Sequence, residues 1–444
     1  MICENISVNA LGHLTFAAQD TVALAEKYGT PVYLFDEDRI RRSLHVYQDT
    51  LREAFHGNAQ VLYAGKAAAF SQLYRILEEE KAGIDVVSGG EIYTAYKAGF
   101  DLKRAFFHGN NKLPDEIRLA LETGVGCIVA DNPEELDLIE KEAVRKANAL
   151  KEKDTEGSAF QQKVLLRITP GIDTHTYEAV NTGKVDSKFG NAIATGQAEA
   201  ILKHALSLPH IKVAGFHCHV GSQVFAEDVF ERAAKIMLTF IADMRDRLGY
   251  TADMLDLGGG YGVRYVDTDP FIDVSEKIRS VAATVYETCE ALSLPVPEIL
   301  MEPGRSIVAD AGMTLYTAGA VKRIPGYKTY VPVDGGMTDN PRYALYRSSY
   351  TCLNASRMNE DADMVCSVVG KCCESGDILQ ENVKLPEGTK PGDILAVCTT
   401  GAYNYSMSSN YNRIPKPPVV MLKNGESYEA VKRETWDDLL RNDL

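Results

Sequence analysis

No apolar run in this chain approaches the ~18 residues that a membrane-spanning helix needs, and residues 1–9 lack the basic and apolar segments of a secretory leader. Basic residues are in deficit: 47 Lys and Arg stand against 62 Asp and Glu, for a formal net charge of -15. That balance argues against nucleic acid and anionic membrane surfaces as partners, since both select basic surface. It leaves room for an anionic small molecule, which a local arginine cluster can bind inside an acidic protein. The 9 cysteines are odd in number, scattered and never spaced CxxC, although Cys372 and Cys373 are adjacent. Neither a zinc site nor a disulfide framework follows from such spacing, so no metal is expected and a reducing compartment is. These absences lead to the expectation of a soluble, cytoplasmic protein.

A hydrophobic content of 45% and a charged content of 25% are ordinary globular values, which exclude a disordered or collagenous chain. At ~150 residues per domain the length suggests about three units, but one α/β barrel of roughly 200–250 residues plus a smaller domain fits as well. Eight short apolar runs, rich in β-branched residues, recur along the first part of the chain. They are residues 61–66 (VLYAGK), 84–88 (IDVVS), 105–110 (AFFHGN), 127–132 (CIVADN), 164–170 (VLLRITP), 213–219 (VAGFHCH), 254–260 (MLDLGGG) and 299–305 (ILMEPGR). Near-continuous apolar strands imply burial on both faces, as in a parallel sheet. Helical patterns lie between them. The clearest spans 227–248, where Val229, Ala233, Ile236, Met237, Phe240, Ile241, Met244 and Leu248 share one face and Gly249 follows as a stop.

Eight strand–helix units in series predict a (β/α)8 barrel, with a doubly wound sheet as the competing architecture. The strand ends favour the barrel, because every run terminates in polar or special residues: Lys66, Ser88, Asn110, Asn132, Arg167, His219, the Gly258–Gly260 triplet, and Glu302 with Arg305. Barrel active sites are built on that rim, whereas an open sheet concentrates function at one switch point. Beyond residue 310 strand-like runs continue without long helices, at 328–335, 364–369, 393–398 and 419–422, and Asn424-Gly425 signals a hairpin. The expected organisation is a barrel over 36–310 and a mostly antiparallel β domain, sandwich or barrel-like, from 1–35 plus 311–444. Residues 171–190 form a long polar stretch and are a candidate lid.

Several residues carry possible chemistry. A desolvated lysine loses basicity and becomes an amine nucleophile able to form a Schiff base, which makes Lys66 a candidate; the plainer alternative is a lysine reaching solvent. Gly258, Gly259 and Gly260 follow the seventh run, where barrel phosphate sites occur, though such a turn is as often structural. His217 and His219 share one strand face, with no third metal ligand evident; a ring stacked on a planar cofactor and a core histidine are both open. Ser222 could donate to a phosphate. A carboxylate at Glu302 could keep a pyridine nitrogen protonated, or simply pair with Arg305. Arg342 and Tyr346 are four apart, so one helical turn would align them. Cys373 beside Glu374 could donate a proton, although a free cysteine is more often an inert thiol. Gly401-Ala402-Tyr403 and residues 409–412 supply hydrogen-bonding groups.

Taken in order, nine runs resemble the fold-type III pyridoxal-phosphate-dependent decarboxylases, and within them the diaminopimelate decarboxylases. They are residues 63–67 (YAGKA), 88–91 (SGGE), 108–112 (HGNNK), 187–190 (SKFG), 217–223 (HCHVGSQ), 258–260 (GGG), 302–305 (EPGR), 373–377 (CESGD) and 401–403 (GAY). The resemblance implies pyridoxal 5'-phosphate as cofactor and decarboxylation of meso-2,6-diaminopimelate at its D-centre. The products would be L-lysine and CO2, the last step of lysine biosynthesis. It implies that Lys66 carries the cofactor, His219 stacks on its ring and Glu302 meets the pyridine nitrogen. Ser222, Gly258, Gly259, Gly260, Gly304 and Tyr403 would hold the phosphate. Arg305, Arg342 and Tyr346, with Tyr403, would grip the carboxylate that does not react, and Glu374 the distal ammonium. Cys373 and Glu374 would come from the other subunit of a head-to-tail homodimer with shared sites, and Cys373 or Lys66 would return the proton to Cα. Tyr343 stands where the family commonly has proline. The alternatives are a decarboxylase of another basic amino acid (D-lysine or D-ornithine, or the L-ornithine and arginine type), a racemase of the same fold, and a cofactor-binding regulator without catalysis.

Overall fold

The computed structural model describes residues 2–152, 160–172 and 186–444. The chain divides into two compact units: Leu44–Gly262 with Ile272–Gly304, and Met1–Ser43 with Val263–Phe271 and Arg305–Leu444. The first unit is a closed parallel barrel. Its eight strands are Ala59–Ala64, Gly83–Val86, Ala105–Phe107, Cys127–Ala130, Gln162–Thr169, Ile211–His217, Met254–Asp256 and Glu298–Met301. Each pairs in parallel with the next, and the last returns to the first through Ile299 and Ala59. A short strand, Asn191–Ala192, runs beside the fifth.

All eight expected runs are barrel strands, and the doubly wound alternative fails on the ring closure. Most of the polar residues that ended the runs lie just beyond the strand, on the rim; Arg167 instead lies within the strand Gln162–Thr169, and Arg305 opens the short helix Arg305–Val308. Leu62, Phe106, Cys127, Val129, Leu165, Ala214, Met254 and Leu300, from seven of the eight strands, form one buried cluster that fills the barrel. The helix expected over 227–248 is Val229–Leu248, and Gly249 takes the left-handed conformation at its end, φ 69°, returning its N–H to Arg245. Ser88 caps the helix Gly89–Ala98 by accepting from the Glu91 N–H, which fixes Glu91 in the first turn.

The second unit is mostly antiparallel. A six-stranded sheet runs Cys352–Asn354, Ile394–Cys398, Gly312–Thr317, Val32–Asp36, Val419–Lys423, Glu426–Val431. A four-stranded sheet runs Lys322–Ile324, Lys328–Pro332, Met364–Val369, Ile378–Leu385. Two pairings are parallel, Val32–Asp36 with Val419–Lys423 and Lys328–Pro332 with Met364–Val369. The Asn424-Gly425 hairpin is present, with φ of 50° and 80° at the two turn residues. The segment Val263–Phe271 belongs to this unit although it lies within the sequence of the barrel. Tyr265 explains it: this ring is buried in an apolar cluster with Tyr316, Val331, Tyr350 and Val397. Most of the candidate lid, residues 173–185, lies outside the described residues. Among the described residues no helix is long and apolar enough to cross a membrane.

Leu300 is fully buried in the barrel cluster. Its truncation in Leu300→Ala should cost about 2–5 kcal/mol, read as a lower urea midpoint. An unchanged midpoint would show that the barrel interior does not set the stability of this unit.

Candidate active site

Lys66 lies in the single turn Gly65–Ala67 that caps the first barrel strand. Its neighbours are buried, but its own side chain keeps 41% exposure, and Nζ is 4.0 Å from Oδ2 of the buried Asp85. Desolvation therefore does not set this lysine apart, contrary to the sequence argument. Its distinction is its position, a partly exposed amine on the rim beside a buried carboxyl.

Across the rim, the last strand delivers Glu302. Three groups from three strand ends meet there. His217 Nε2 is 3.3 Å from Glu302 Oε2, and His108 Nε2 is 2.8 Å from Glu302 Oε1 and 3.8 Å from Asp85 Oδ1. The His217 contact is a hydrogen bond; the His108 contact is close without hydrogen-bond alignment, so Glu302 Oε1 still has a lone pair to offer. The two imidazoles pack edge to face with centroids 4.9 Å apart. The sequence left His217 and His219 without a third ligand. The fold supplies His217 with His108 and Glu302, all three ligand atoms within 4.8 Å of one another, and His219 is not among them.

Electrostatics follow from burial and these contacts. Burial alone would raise the Glu302 carboxyl; the imidazoles of His108 and His217 outweigh it and hold the group well below the usual carboxylate range. Burial lowers His217 to about 4, so it is a neutral ring donating through Nε2. Burial, helped by Lys66 and Arg167, keeps His219 well below its usual value and uncharged. Asp256 goes the other way, raised well above the usual range by burial and by the Glu302 charge. Asp85 is also raised by burial, against the pull of His108.

The glycine triplet has a packing reason. Gly258 and Gly260 have φ of 69° and 126°. A Cβ at Gly259 would overlap the Glu302 carbonyl, and one at Gly260 would overlap that of Gly221. Val224 donates to the Gly260 carbonyl at 2.9 Å, so the Ser222 loop is tied to the triplet. The Gly259 N–H faces His219 Nδ1 at 3.4 Å. Gly304 closes against Ala64 in the same way.

The second unit gathers its own group. Arg305 Nη1 donates to Tyr265 Oη at 2.6 Å, and the Arg305 guanidinium lies 4.6 Å from the Tyr403 ring centroid. Arg342 stands 5.4 Å from the same ring and 5.2 Å from that of Tyr346, one turn along the helix Arg342–Tyr346. Both arginines are buried, and Arg342 meets no carboxylate within 4.0 Å among the described residues. A buried cation such as Arg342 favours an anionic ligand. Tyr343 is tied by its hydroxyl to Glu381 at 2.6 Å. Cys373 and Glu374 are exposed on a separate loop. Asp377 fixes that loop by accepting from the Cys372 N–H at 2.7 Å and the Met337 N–H at 2.6 Å, while Asn412 accepts from the Cys373 N–H at 2.9 Å.

Sequence reasoning gave no role to Asp85, His108, Asp256, Tyr265 or Tyr350. Asp85, His108 and Asp256 were visible only as parts of runs. Tyr265 and Tyr350 are single residues whose partners are far away in sequence, and no local pattern marks them.

Comparison with known proteins agrees with the geometry. The family model described as the pyridoxal binding domain of pyridoxal-dependent decarboxylases matches residues 37–309. The diaminopimelate decarboxylase of Bacillus subtilis is 44% identical over 436 residues, covering 98% of this chain and 96% of that protein. That of Staphylococcus aureus is 40% identical over 438 residues, covering 99% of each. A crystal structure of diaminopimelate decarboxylase from M. jannaschii in complex with L-lysine superposes with a TM-score of 0.88 at 29% identity, covering 100% of this chain and 98% of that one.

Glu91 offers a test of the rim's burial. Its Oε2 accepts from the Val87 N–H at 2.8 Å, and burial raises its carboxyl from 4.5 to about 7. Between those values the folded chain keeps a proton that the unfolded chain has released, so stability falls as pH rises through this window. Glu91→Gln should flatten that fall in urea midpoints measured across it. A variant profile parallel to the wild type would contradict the assignment.

Proposed function

The chain belongs to the pyridoxal-dependent decarboxylases, in their diaminopimelate decarboxylase branch, and from that premise we propose that it converts meso-2,6-diaminopimelate to L-lysine and CO2. The observation that carries the reading is the rim of the barrel: a buried carboxylate held anionic by two imidazoles, with a partly exposed lysine on the same ring of strand ends. These residues fit pyridoxal phosphate. Glu302 has an oxygen to offer a protonated pyridine nitrogen, and a neutral His219 can stack on a flat ring without adding charge. When bound, the cofactor supplies a sink for the electron pair left on Cα as the carboxylate departs.

The chain's own residues then have distinct tasks. Lys66 Nζ would hold the cofactor. Glu302 keeps the ring nitrogen protonated. Ser222, Gly258, Gly259, Gly260, Gly304 and Tyr403 bind phosphate. Arg305, Arg342 and Tyr346, with Tyr403, take the second carboxylate, which suits two buried guanidiniums around one aromatic ring. Glu374 takes the distal ammonium. Cys373 Sγ or Lys66 Nζ returns a proton to Cα after the Cα–carboxylate bond breaks. The exposure of Cys373 and Glu374 suits residues offered to a second copy of the chain, so a homodimer with shared sites is part of the proposal. A cytoplasmic enzyme accords with nine free thiols.

Two measurements test this. In a panel of meso-diaminopimelate, D-lysine and D-ornithine, CO2 release should favour the first by roughly 10⁴, because arginines left without a carboxylate reject the others. Faster release from D-lysine or D-ornithine would assign another substrate. The purified holoenzyme should also show the visible absorbance of a lysine-linked cofactor, lost in Lys66→Ala; a band that survives would move the attachment elsewhere.

A further inference from the structure

Glu302 is buried, and an ionised carboxylate taken out of water is stable only when donors replace its hydration. No lysine or arginine within 4.0 Å of it appears among the described ion pairs. Two imidazoles approach its oxygens, His217 Nε2 in a hydrogen bond at 3.3 Å from Oε2 and His108 Nε2 at 2.8 Å from Oε1 without hydrogen-bond alignment, and the buried Asp256, pushed toward its neutral acid, also interacts with it. Both rings are themselves buried and locked edge to face. The two come from different strand ends, His217 closing the sixth strand and His108 following the third. A full cation at this spot would neutralise Glu302 and remove its pull on a positively charged ring nitrogen. The neutral His217 ring, donating through Nε2, orients the carboxylate and leaves its charge in place.

On the reading of the preceding subsection, we propose that His108 and His217 are positioning residues: His217 holds Glu302 Oε2 by a hydrogen bond, His108 packs beside Oε1, and together they aim the carboxylate at the ring nitrogen of bound pyridoxal phosphate. Neither need touch cofactor or substrate. Their effect is therefore confined to ligands that carry that nitrogen as a base.

The test compares two cofactors on the full-length apoenzyme, with a chelator present throughout: pyridoxal phosphate, and its 1-deaza analogue with C–H in place of the ring nitrogen. His217→Leu removes the donor, and His108→Leu removes the ring packed beside Oε1. His217→Asn keeps polarity, but its amide corresponds to the Nδ1 position and cannot reach the carboxylate. His217→Gln places an N–H near Nε2. His217→Leu and His217→Asn should bind pyridoxal phosphate about 10- to 100-fold more weakly, the range for losing a hydrogen bond to a charged group, and His108→Leu should weaken it in the same direction. They should bind the deaza analogue no more weakly than the wild type, and Gln should restore most of the pyridoxal phosphate affinity. If either Leu variant does not fold, the contrast between Asn and Gln decides. Equal weakening toward both cofactors, or none toward pyridoxal phosphate, would overturn the proposal by showing a packing role. A wild-type chain that formed no lysine-linked absorbance with pyridoxal phosphate would overturn the functional reading, and this inference with it.

Discussion

A single buried carboxylate organises the barrel's rim. Glu302 is fully enclosed, yet it stays ionised because His108 and His217 approach its two oxygens. The cost of burying that charge is several kcal/mol before compensation. Its neighbours show the consequence. Asp256 and Asp85, equally buried, are pushed toward the neutral acid, Asp256 in part by the Glu302 charge itself. One anion is sustained at the expense of the carboxyls around it, and a ligand with a protonated nitrogen is the group that such a site accepts best.

The barrel is what makes this convergence possible. His108, His217 and Glu302 follow or close three different strands, and only a closed ring brings those ends within reach of one another. The glycine triplet serves the same end, since backbone meets backbone where Gly259 passes Glu302 and Gly260 passes Gly221. In the other unit the logic is inverted. Arg305 and Arg342 are buried cations held around the Tyr403 ring, and the acidic balance of the whole chain hides them from any argument based on net charge.

Much of this was legible in the sequence because it is local. Alternating helical and β-branched runs located all eight strands, and the glycine after Leu248 ended its helix. Polar strand ends pointed to the rim, and the ordered runs from YAGKA to GAY pointed to the family. What stayed hidden depends on contacts between distant residues. Nothing near His108 announces a contact with a carboxylate 194 positions away. Tyr265 reads as part of the barrel until its cluster with Tyr316 and Tyr350 places it in the other unit. Lys66 was argued from desolvation, and its exposed side chain shows that position, rather than burial, distinguishes it.

The account turns on whether Glu302 holds a protonated ring. The direct measurement is the nitrogen-15 chemical shift of isotopically labelled pyridoxal phosphate bound to the full-length chain at neutral pH. A pyridinium-like shift, moved toward that of free pyridine in Glu302→Gln, is the predicted result. A shift characteristic of neutral pyridine in the wild-type protein would contradict the central claim.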